Sequence, residues 1–450
     1  MRRIERRRIV SPENWVPITF LIGMAAGTIL LMLPVARAGG LSGAASADFV
    51  TALFAATSAL CVTGLSVVDT ATYWSPFGHV VLLLLFQIGG LGIMTGATLL
   101  GILVTRTIPL RGRLGAAAEM RGLEIGDVRQ ILRLVLASTL VTEAVLTLLL
   151  SIRFLMWGMT PGAAIWNGLF HACSAFMNVG FSTLPEGLGP HGKDIVFLTP
   201  LMVGVVLGGI GFPVLYELRL FWRRPKRWSI HTKLTLWGSL ALTIVGMLLL
   251  LLLEWRNPNT VGPLGLAGKA YQALFHSVMT RSGGFAVYDP TDMRADTLLI
   301  TTLLMFIGGG SASTAGGIRI TTFLLLAFVV WSEIRRSPDS VVFGRRISVD
   351  VMRRAVAIVL MATAIICTAT LLLVGFIEAP VEYVMFEVVS AFATAGLSTG
   401  LASAMPPAGQ LILVLLMFVG RAGSEWIAAA LALRVRSAPF RYPEERPIVG

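Results

Sequence analysis

Apolar residues in this chain fall in long blocks rather than on one stripe of a surface helix. The blocks run from Trp15 to Ala36, Phe77 to Thr105, Val128 to Trp157, Ile195 to Trp222, Ile230 to Glu254, Thr297 to Ile334, Val349 to Phe376 and Ala408 to Arg434. A helix rises ~1.5 Å per residue, so about 20 apolar residues cross the ~30 Å hydrocarbon layer of a bilayer. All eight blocks are long enough, and the one from Thr297 is interrupted by a glycine run. The pattern predicts an all-α membrane protein with eight transmembrane helices.

A shorter apolar stretch follows every odd-numbered block and ends on glycine. Aligned on a phenylalanine, the stretches run Phe54 to Gly64, Phe170 to Gly180, Phe275 to Gly284 and Phe386 to Gly396. The interval is ten residues in three copies and nine in the third. A large apolar residue follows each time: Leu65, Phe181, Phe285 and Leu397. The glycines recur at intervals of 116, 104 and 112 residues, so the chain holds four copies of one unit: helix, short stretch, glycine motif, helix.

Physics narrows what the unit can be. Ten apolar residues cannot cross a membrane, so each stretch is re-entrant. Its non-helical end leaves backbone groups unpaired, which is tolerated at membrane depth only inside protein or along a water-filled cavity. Four such ends meeting at an axis would present rings of carbonyl oxygens, which can replace a cation's hydration shell. Glycine suits these ends because it reaches positive φ without a Cβ clash. The negative end of each short helix dipole would point inward and favour a cation. A single motif of this kind would be read as close helix packing; four in register are not.

Composition and charge agree. Hydrophobic residues make up 55 % and charged residues 13 %, with a mean hydropathy of +0.80. Soluble proteins average about 25 % charged residues. The formal charge of +12 could suggest nucleic acid, but 27 of the 36 Lys and Arg lie at the termini and in alternate loops. These include Arg2 to Arg8, Arg106 to Arg133, Arg219 to Lys233, Arg335 to Arg354 and Arg434 to Arg446. That is the positive-inside pattern, with both termini cytoplasmic, and no basic face for nucleic acid forms. Cys61, Cys173 and Cys367 lie in apolar segments without metal-ligand or disulfide spacing. The first block is too long for a signal peptide and is read as a retained helix.

Several residues stand out at membrane depth. Gly308, Gly309, Gly310, Ser311, Ala312, Ser313, Thr314, Ala315, Gly316 and Gly317 interrupt an apolar block. Each Gly costs about 1 kcal/mol against Ala in a helix, so the run reads as a flexible intramembrane loop acting as a gate, with a tight packing face as the other reading. No Gly-Lys-Ser/Thr follows, so it is no phosphate loop. Arg421 lies in an apolar block and is expected to face the interior. It is either gate-associated or paired with Glu425, four residues on. Arg281, three residues before Gly284, is expected to brace loops through carbonyls. His171, His276 and Glu387 follow the aligned Phe in three copies and suggest a polar anchor for the short helix. Glu143 reads as a coupling site or, more commonly, an interhelical polar contact. There is no intramembrane Asp pair, Ser–His pair or HExxH, which disfavours an intramembrane enzyme.

With these motifs in hand, the chain resembles the Trk/Ktr/HKT superfamily of K⁺ transporters, most of all the Ktr-type membrane subunit. The likeness rests on the four glycine motifs, Gln87 to Gly92, Leu207 to Pro213, Gly308 to Arg319 and Gly420 to Gly423. It departs where Ser424, Glu425 and Trp426 stand in place of the Pro that often follows the last motif. The resemblance implies four M1–pore helix–M2 repeats around a pseudo-four-fold pore. The units are a basic cytoplasmic N-terminus at 1–14, repeats at 15–110, 111–227, 228–346 (with a broken M2) and 347–436, and a cytoplasmic C-terminus at 437–450. It implies a selectivity filter of Val62, Thr63, Gly64; Asn178, Val179, Gly180; Ser282, Gly283, Gly284; and Thr394, Ala395, Gly396, with K⁺ at Gly64, Gly180, Gly284 and Gly396. Glycine rather than serine at the first of these favours K⁺ over Na⁺.

The expected function is K⁺ uptake across the cytoplasmic membrane, gated by the 308–317 loop, without enzymatic activity or covalent cofactor. A Na⁺ or unselective conductor is the alternative, and Na⁺ activation is left open. The expected partners are a second copy in a homodimer, a cytosolic nucleotide-binding RCK-type ring, and membrane lipids, which basic loops attract at ~1 kcal/mol per residue.

Overall fold

The computed structural model describes residues 15–39, 47–107, 128–337 and 339–423. Arg2 to Arg8, Arg111 to Arg121, Arg434 to Arg446 and the Arg421–Glu425 pairing lie outside the described residues or reach beyond them. The chain is mostly helical. The elements in order are α1 (Trp15–Met32), α2 (Phe49–Leu60), α3 (Pro76–Thr107), α4 (Val128–Met156), α5 (Pro161–Phe176), α6 (Ile195–Ile210), α7 (Phe212–Phe221) and α8 (Ile230–Glu254). After them come α9 (Leu266–Met279), α10 (Ala295–Phe306), α11 (Ile320–Ile334), α12 (Val349–Val374), α13 (Val381–Ala393) and α14 (Pro407–Phe418). A two-residue hairpin, β1 (Val341–Val342) with β2 (Arg345–Arg346), joins α11 to α12.

Helix starts follow local chemistry. Asp48 caps α2 by accepting from Val50 N–H at 3.1 Å, Asp194 caps α6 through Phe197 N–H at 3.1 Å, and Ser229 caps α8 through Thr232 N–H at 3.2 Å. Pro161 opens α5 where its missing N–H costs nothing.

Among the described residues, Arg133–Met156, Ile230–Glu254 and Val349–Val374 are long and apolar enough to cross a membrane as single helices, and a bent pair adds a fourth. That pair corrects a sequence expectation. The block from Ile195 to Trp222 is not one straight helix: α6 and α7 meet at 96° around Gly211, whose φ is +95°. The cause is local, because Pro213 lies in the first turn of α7 and disfavours continuation of the helix through it. The Thr297 block is likewise two helices, α10 and α11, around the glycine run. The last block ends as α14 at Phe418 and passes into a π-helical turn, Val419–Gly423.

The packing is organised around α2, α5, α9 and α13. Each lies against the long helix before it: α1 on α2, α4 on α5, α8 on α9, α12 on α13. Each also meets the following helix of the preceding group: α3 packs on α5, α6 on α9, and α10 on α13. The series closes on itself, since α14 packs on α2. Deeply buried phenylalanines anchor the short helices. Phe54, Phe170 and Phe386 are fully buried and Phe275 is 1 % exposed, and these are the four residues on which the sequence copies align.

Candidate functional site

The four short helices end alike. In three, the last turn closes with two carbonyl bonds of a Schellman motif. Thr63 N–H donates to Ser58 O at 2.8 Å and Val62 N–H to Ala59 O at 3.0 Å. The matching pairs are Val179 to Ser174 at 2.8 Å with Asn178 to Ala175 at 3.1 Å, and Ala395 to Ser390 at 2.9 Å with Thr394 to Ala391 at 3.3 Å. The third copy, one residue shorter, differs: Gly283 N–H reaches Met279 O at 2.8 Å. The turn residue is left-handed in all four, with φ of +57° at Val62, +60° at Asn178, +75° at Ser282 and +46° at Thr394. None is Gly, and Val and Thr pay a β-branched penalty there. Strain of ~1–3 kcal/mol per residue persists only where surroundings enforce it.

Two residues on, each segment returns to positive φ at its glycine: +87° at Gly64, +91° at Gly180, +71° at Gly284 and +87° at Gly396. The four glycines face one another across a narrow space. A Cβ on Gly64 would collide with Val179 O, and one on Gly180 would sit 2.5 Å from Gly284 Cα. A Cβ on Gly284 would lie 2.6 Å from Val179 O, and one on Gly396 would collide with Thr63 O and lie 2.9 Å from Gly284 Cα. Backbone, including carbonyl oxygen, therefore lines this space, with no room for side chains.

In the second and fourth copies a polar side chain holds the chain just past the glycine, and in the third it meets the following helix. His171 bonds Ser182 Oγ at 2.9 Å and Asn167 O at 2.8 Å. Glu387 Oε1 accepts from Ser398 Oγ at 2.6 Å, Thr399 N–H at 2.8 Å and Thr399 Oγ1 at 3.1 Å. His276 meets Thr301 Oγ1 at 3.4 Å and stacks on Tyr288. The expected anchoring at this position is what the geometry shows. Arg281 points away from the convergence: its guanidinium donates to Ser239 O at 2.8 Å, Ser239 Oγ at 3.0 Å and Thr243 Oγ1 at 3.3 Å on α8. Glu143 accepts from Gln87 at 2.8 Å, the interhelical polar contact.

Beneath the convergence lies the 308–317 loop. Gly310 N–H donates to Gly209 O at 2.8 Å, Thr314 N–H to Gly208 O at 3.2 Å, and Phe212 N–H to Ala312 O at 3.3 Å, so the loop seats in the α6–α7 bend. Thr314 Oγ1 lies 2.9 Å from Asn178 Oδ1 and 3.2 Å from Phe176 O. Gly316 N–H donates to Ser282 Oγ at 3.1 Å. Inside the loop, Arg319 donates to Ala315 O at 2.6 Å and Gly310 O at 3.2 Å, and Ser313 Oγ to Gly310 O at 2.6 Å. Gly316 lies so close to Thr394 that a Cβ would strike its hydroxyl. Arg421 is buried at 2 % exposure in the π turn, which packs on α13 and α1.

One feature escapes the sequence reading. Gly89, Gly208 and Gly420 each sit on a carbonyl of a short helix, at Leu60, Phe176 and Phe392, where a Cβ would collide. These carbonyls all lie six residues after the aligned Phe, and that common offset is the signal that would have found the contacts.

The TrkH family profile, described as a cation transport protein, matches residues 27–436. The chain belongs to the TrkH family. It is 36 % identical to the Ktr system potassium uptake protein B of Bacillus subtilis, over 98 % of this chain and 97 % of that protein. The protein of the same description from Vibrio alginolyticus is also 36 % identical, over 96 % of this chain and 94 % of its own length. The potassium/sodium uptake protein NtpJ of Enterococcus hirae is 31 % identical, over 100 % and 99 %. The fold is similar to the crystal structure of the potassium transporter TrkH from Vibrio parahaemolyticus, with a TM-score of 0.70, 18 % identity, and 96 % and 86 % of the two chains covered. This TrkH-family chain is thus an integral membrane protein of a transporter family, matched over nearly its whole length.

Proposed function

We propose that the chain carries K⁺ into the cell through a pore formed by four repeats, at 15–110, 111–227, 228–346 and 347–436, with eight spanning segments around a pseudo-four-fold axis. The observation that carries this reading is the convergence of Gly64, Gly180, Gly284 and Gly396, backbone to backbone, at the centre of the closed packing series. Carbonyls there can replace the hydration shell of a bare cation. The left-handed turn residue followed by a positive-φ glycine repeats four times, and such alternation lets successive carbonyls of a short segment face one side. The filter is Val62–Gly64, Asn178–Gly180, Ser282–Gly284 and Thr394–Gly396, with K⁺ bound at the four glycines.

The loop from Gly308 to Gly317 is the gate. It bonds to the ends of two of the four segments and lies against a third. Arg421, buried in the π turn against α13 and α1, is proposed as gate-associated. Relatives named as parts of a Ktr system support a system of more than one component, and a homodimer on a cytosolic nucleotide-binding RCK-type ring is the form we propose for it. The exposed basic residues Arg223, Arg224, Lys226, Arg335, Arg345 and Arg346 supply a cytoplasmic face for that ring or for anionic lipid, with both termini on the same side. Na⁺ conduction is the second reading, favoured by the relative named for potassium and sodium uptake; Na⁺ activation of K⁺ uptake is a separate reading that the competition assay also tests.

The test is rubidium-86 uptake into proteoliposomes holding the purified chain, with K⁺ and Na⁺ as competitors, beside Gly284→Ser. Strong competition by K⁺ alone, lost in the variant, supports the filter. Equal competition by Na⁺ in the parent overturns the K⁺ assignment and leaves the pore.

A further inference from the structure

One hydroxyl touches both the loop and the convergence. Ser282 is 1 % exposed and stands at the left-handed turn of the third segment. Its Oγ accepts from Gly316 N–H of the loop at 3.1 Å and donates to Thr394 O of the fourth segment at 2.9 Å. The other loop contacts stop where they land. Thr314 meets Asn178 and Phe176 O, and the Gly316 Cα merely abuts the Thr394 hydroxyl. Among the described residues, Ser282 alone passes a loop contact on to a backbone carbonyl of another segment. Val62, Asn178 and Thr394 hold the corresponding turn in the other three copies, so the connection exists on one side only.

We propose that Ser282 is a positioning residue that couples the gate to ion selection, an inference that rests on the filter and gate reading above. With the loop seated, the Ser282 hydroxyl has its lone pair engaged by Gly316 and its proton committed to Thr394 O. That holds the Thr394 carbonyl against Ser282 and away from an ion. When the loop leaves, the hydroxyl loses its donor and rotates freely among acceptors, as hydroxyls do. The Thr394 carbonyl is then released to turn toward the ion path. Loop movement therefore changes selection among ions as well as steric access. A single hydrogen bond of this kind contributes about 1 kcal/mol, or roughly five-fold in an equilibrium.

The experiment compares four proteins in proteoliposomes: the parent, Ser282→Ala, a loop deletion of residues 311–315, and the two combined. Two quantities are read, the rubidium-86 uptake rate and the ratio of K⁺ to Na⁺ concentrations that halve equilibrium rubidium-86 binding, which the protein with its loop seated also shows. The deletion and Ser282→Ala each shift the ratio about five-fold in the same direction, and the combination shifts it no further. Ser282→Gly, which suits the positive φ, gives the same ratio as Ser282→Ala and guards against a folding defect. Additive shifts, or an unchanged ratio in both Ser282 variants, overturn the coupling alone. An unchanged uptake rate on loop deletion in the parent overturns the gate reading, and the coupling falls with it.

Discussion

Gly316→Ala tests whether the seated loop is the closed state. The new methyl would strike Thr394 Oγ1 and sit 2.5 Å from Ala393 O. The first neighbour is a side chain that can rotate. The second is a backbone carbonyl at the end of α13, whose turn is fixed by the bonds at Thr394 and Ala395. That carbonyl cannot yield without breaking the turn, so the loop must shift instead. Overpacking of this kind costs about 1–3 kcal/mol. Charged to the seated loop alone, it lowers the seated-to-released ratio by roughly 5–150-fold. The assay is the initial rate of rubidium-86 uptake into proteoliposomes without regulatory subunits, which should rise by up to that factor. Gly92→Ala, where nothing among the described residues lies within 4 Å of the added methyl, is the matched control and keeps the parental rate. A parental rate in Gly316→Ala, whatever its melting temperature, would refute the view that this loop position blocks the path.

Three further outcomes are expected. Arg281→Met removes donors to Ser239 and Thr243 and should lower stability by about 2–3 kcal/mol, seen as an earlier urea or thermal transition. The K⁺/Na⁺ competition ratio should stay put, and a changed ratio would mean that Arg281 acts on the ion after all. Glu387→Ala removes an acceptor of three bonds and should lose selectivity with stability, whereas Glu387→Gln, which keeps a carbonyl oxygen there, should retain more of both; equal behaviour of the two variants counts against the anchor. Asp194, at the start of α6, has its carboxyl below the ordinary range: burial would raise it, but the Arg153 guanidinium at 2.6 Å, the Phe197 N–H and the Trp157 indole outweigh burial. A lowered folded-state value means stability present above the unfolded value of about 3.9 and lost as pH falls through the folded value. Asp194→Asn should therefore melt earlier than the parent at pH 7, with the gap narrowing as pH falls below the unfolded value; a gap independent of pH would refute the carboxylate as its source.

Much of the site was legible because it repeats. Phe54, Phe170, Phe275 and Phe386 bury the short helices, and apolar spacing plus a terminal glycine sufficed to find them. The shorter interval in the third copy was also visible, and it corresponds to the one end that lacks the paired Schellman bonds. What the residues did not disclose is local geometry imposed from outside. Val62 and Thr394 are β-branched, so no propensity predicts a left-handed turn at either. The turn is forced by the packing of four segments in one place. The bend at Gly211 was hidden because the block from Ile195 to Trp222 remains apolar across it. A Gly two residues before a Pro was the only cue, and the loop that fills the bend arrives about a hundred residues later. Arg421 was expected in the interior and is there, but nothing in Val419–Gly423 announces a π turn.

The four glycine segments reside in one chain, and among the described residues only the third group has its second helix split by a glycine-rich loop. An assembly of four identical chains would repeat every substitution four times around its axis, so each change would be all or nothing. Here a codon change alters a quarter of the ring. On the function proposed above, ion preference would be tuned a quarter at a time while the other three keep their chemistry, and a gate on one flank would not crowd the centre with four. The third segment, shorter by one residue and the only one of the four with serine at its turn, is where the four-fold likeness is least exact.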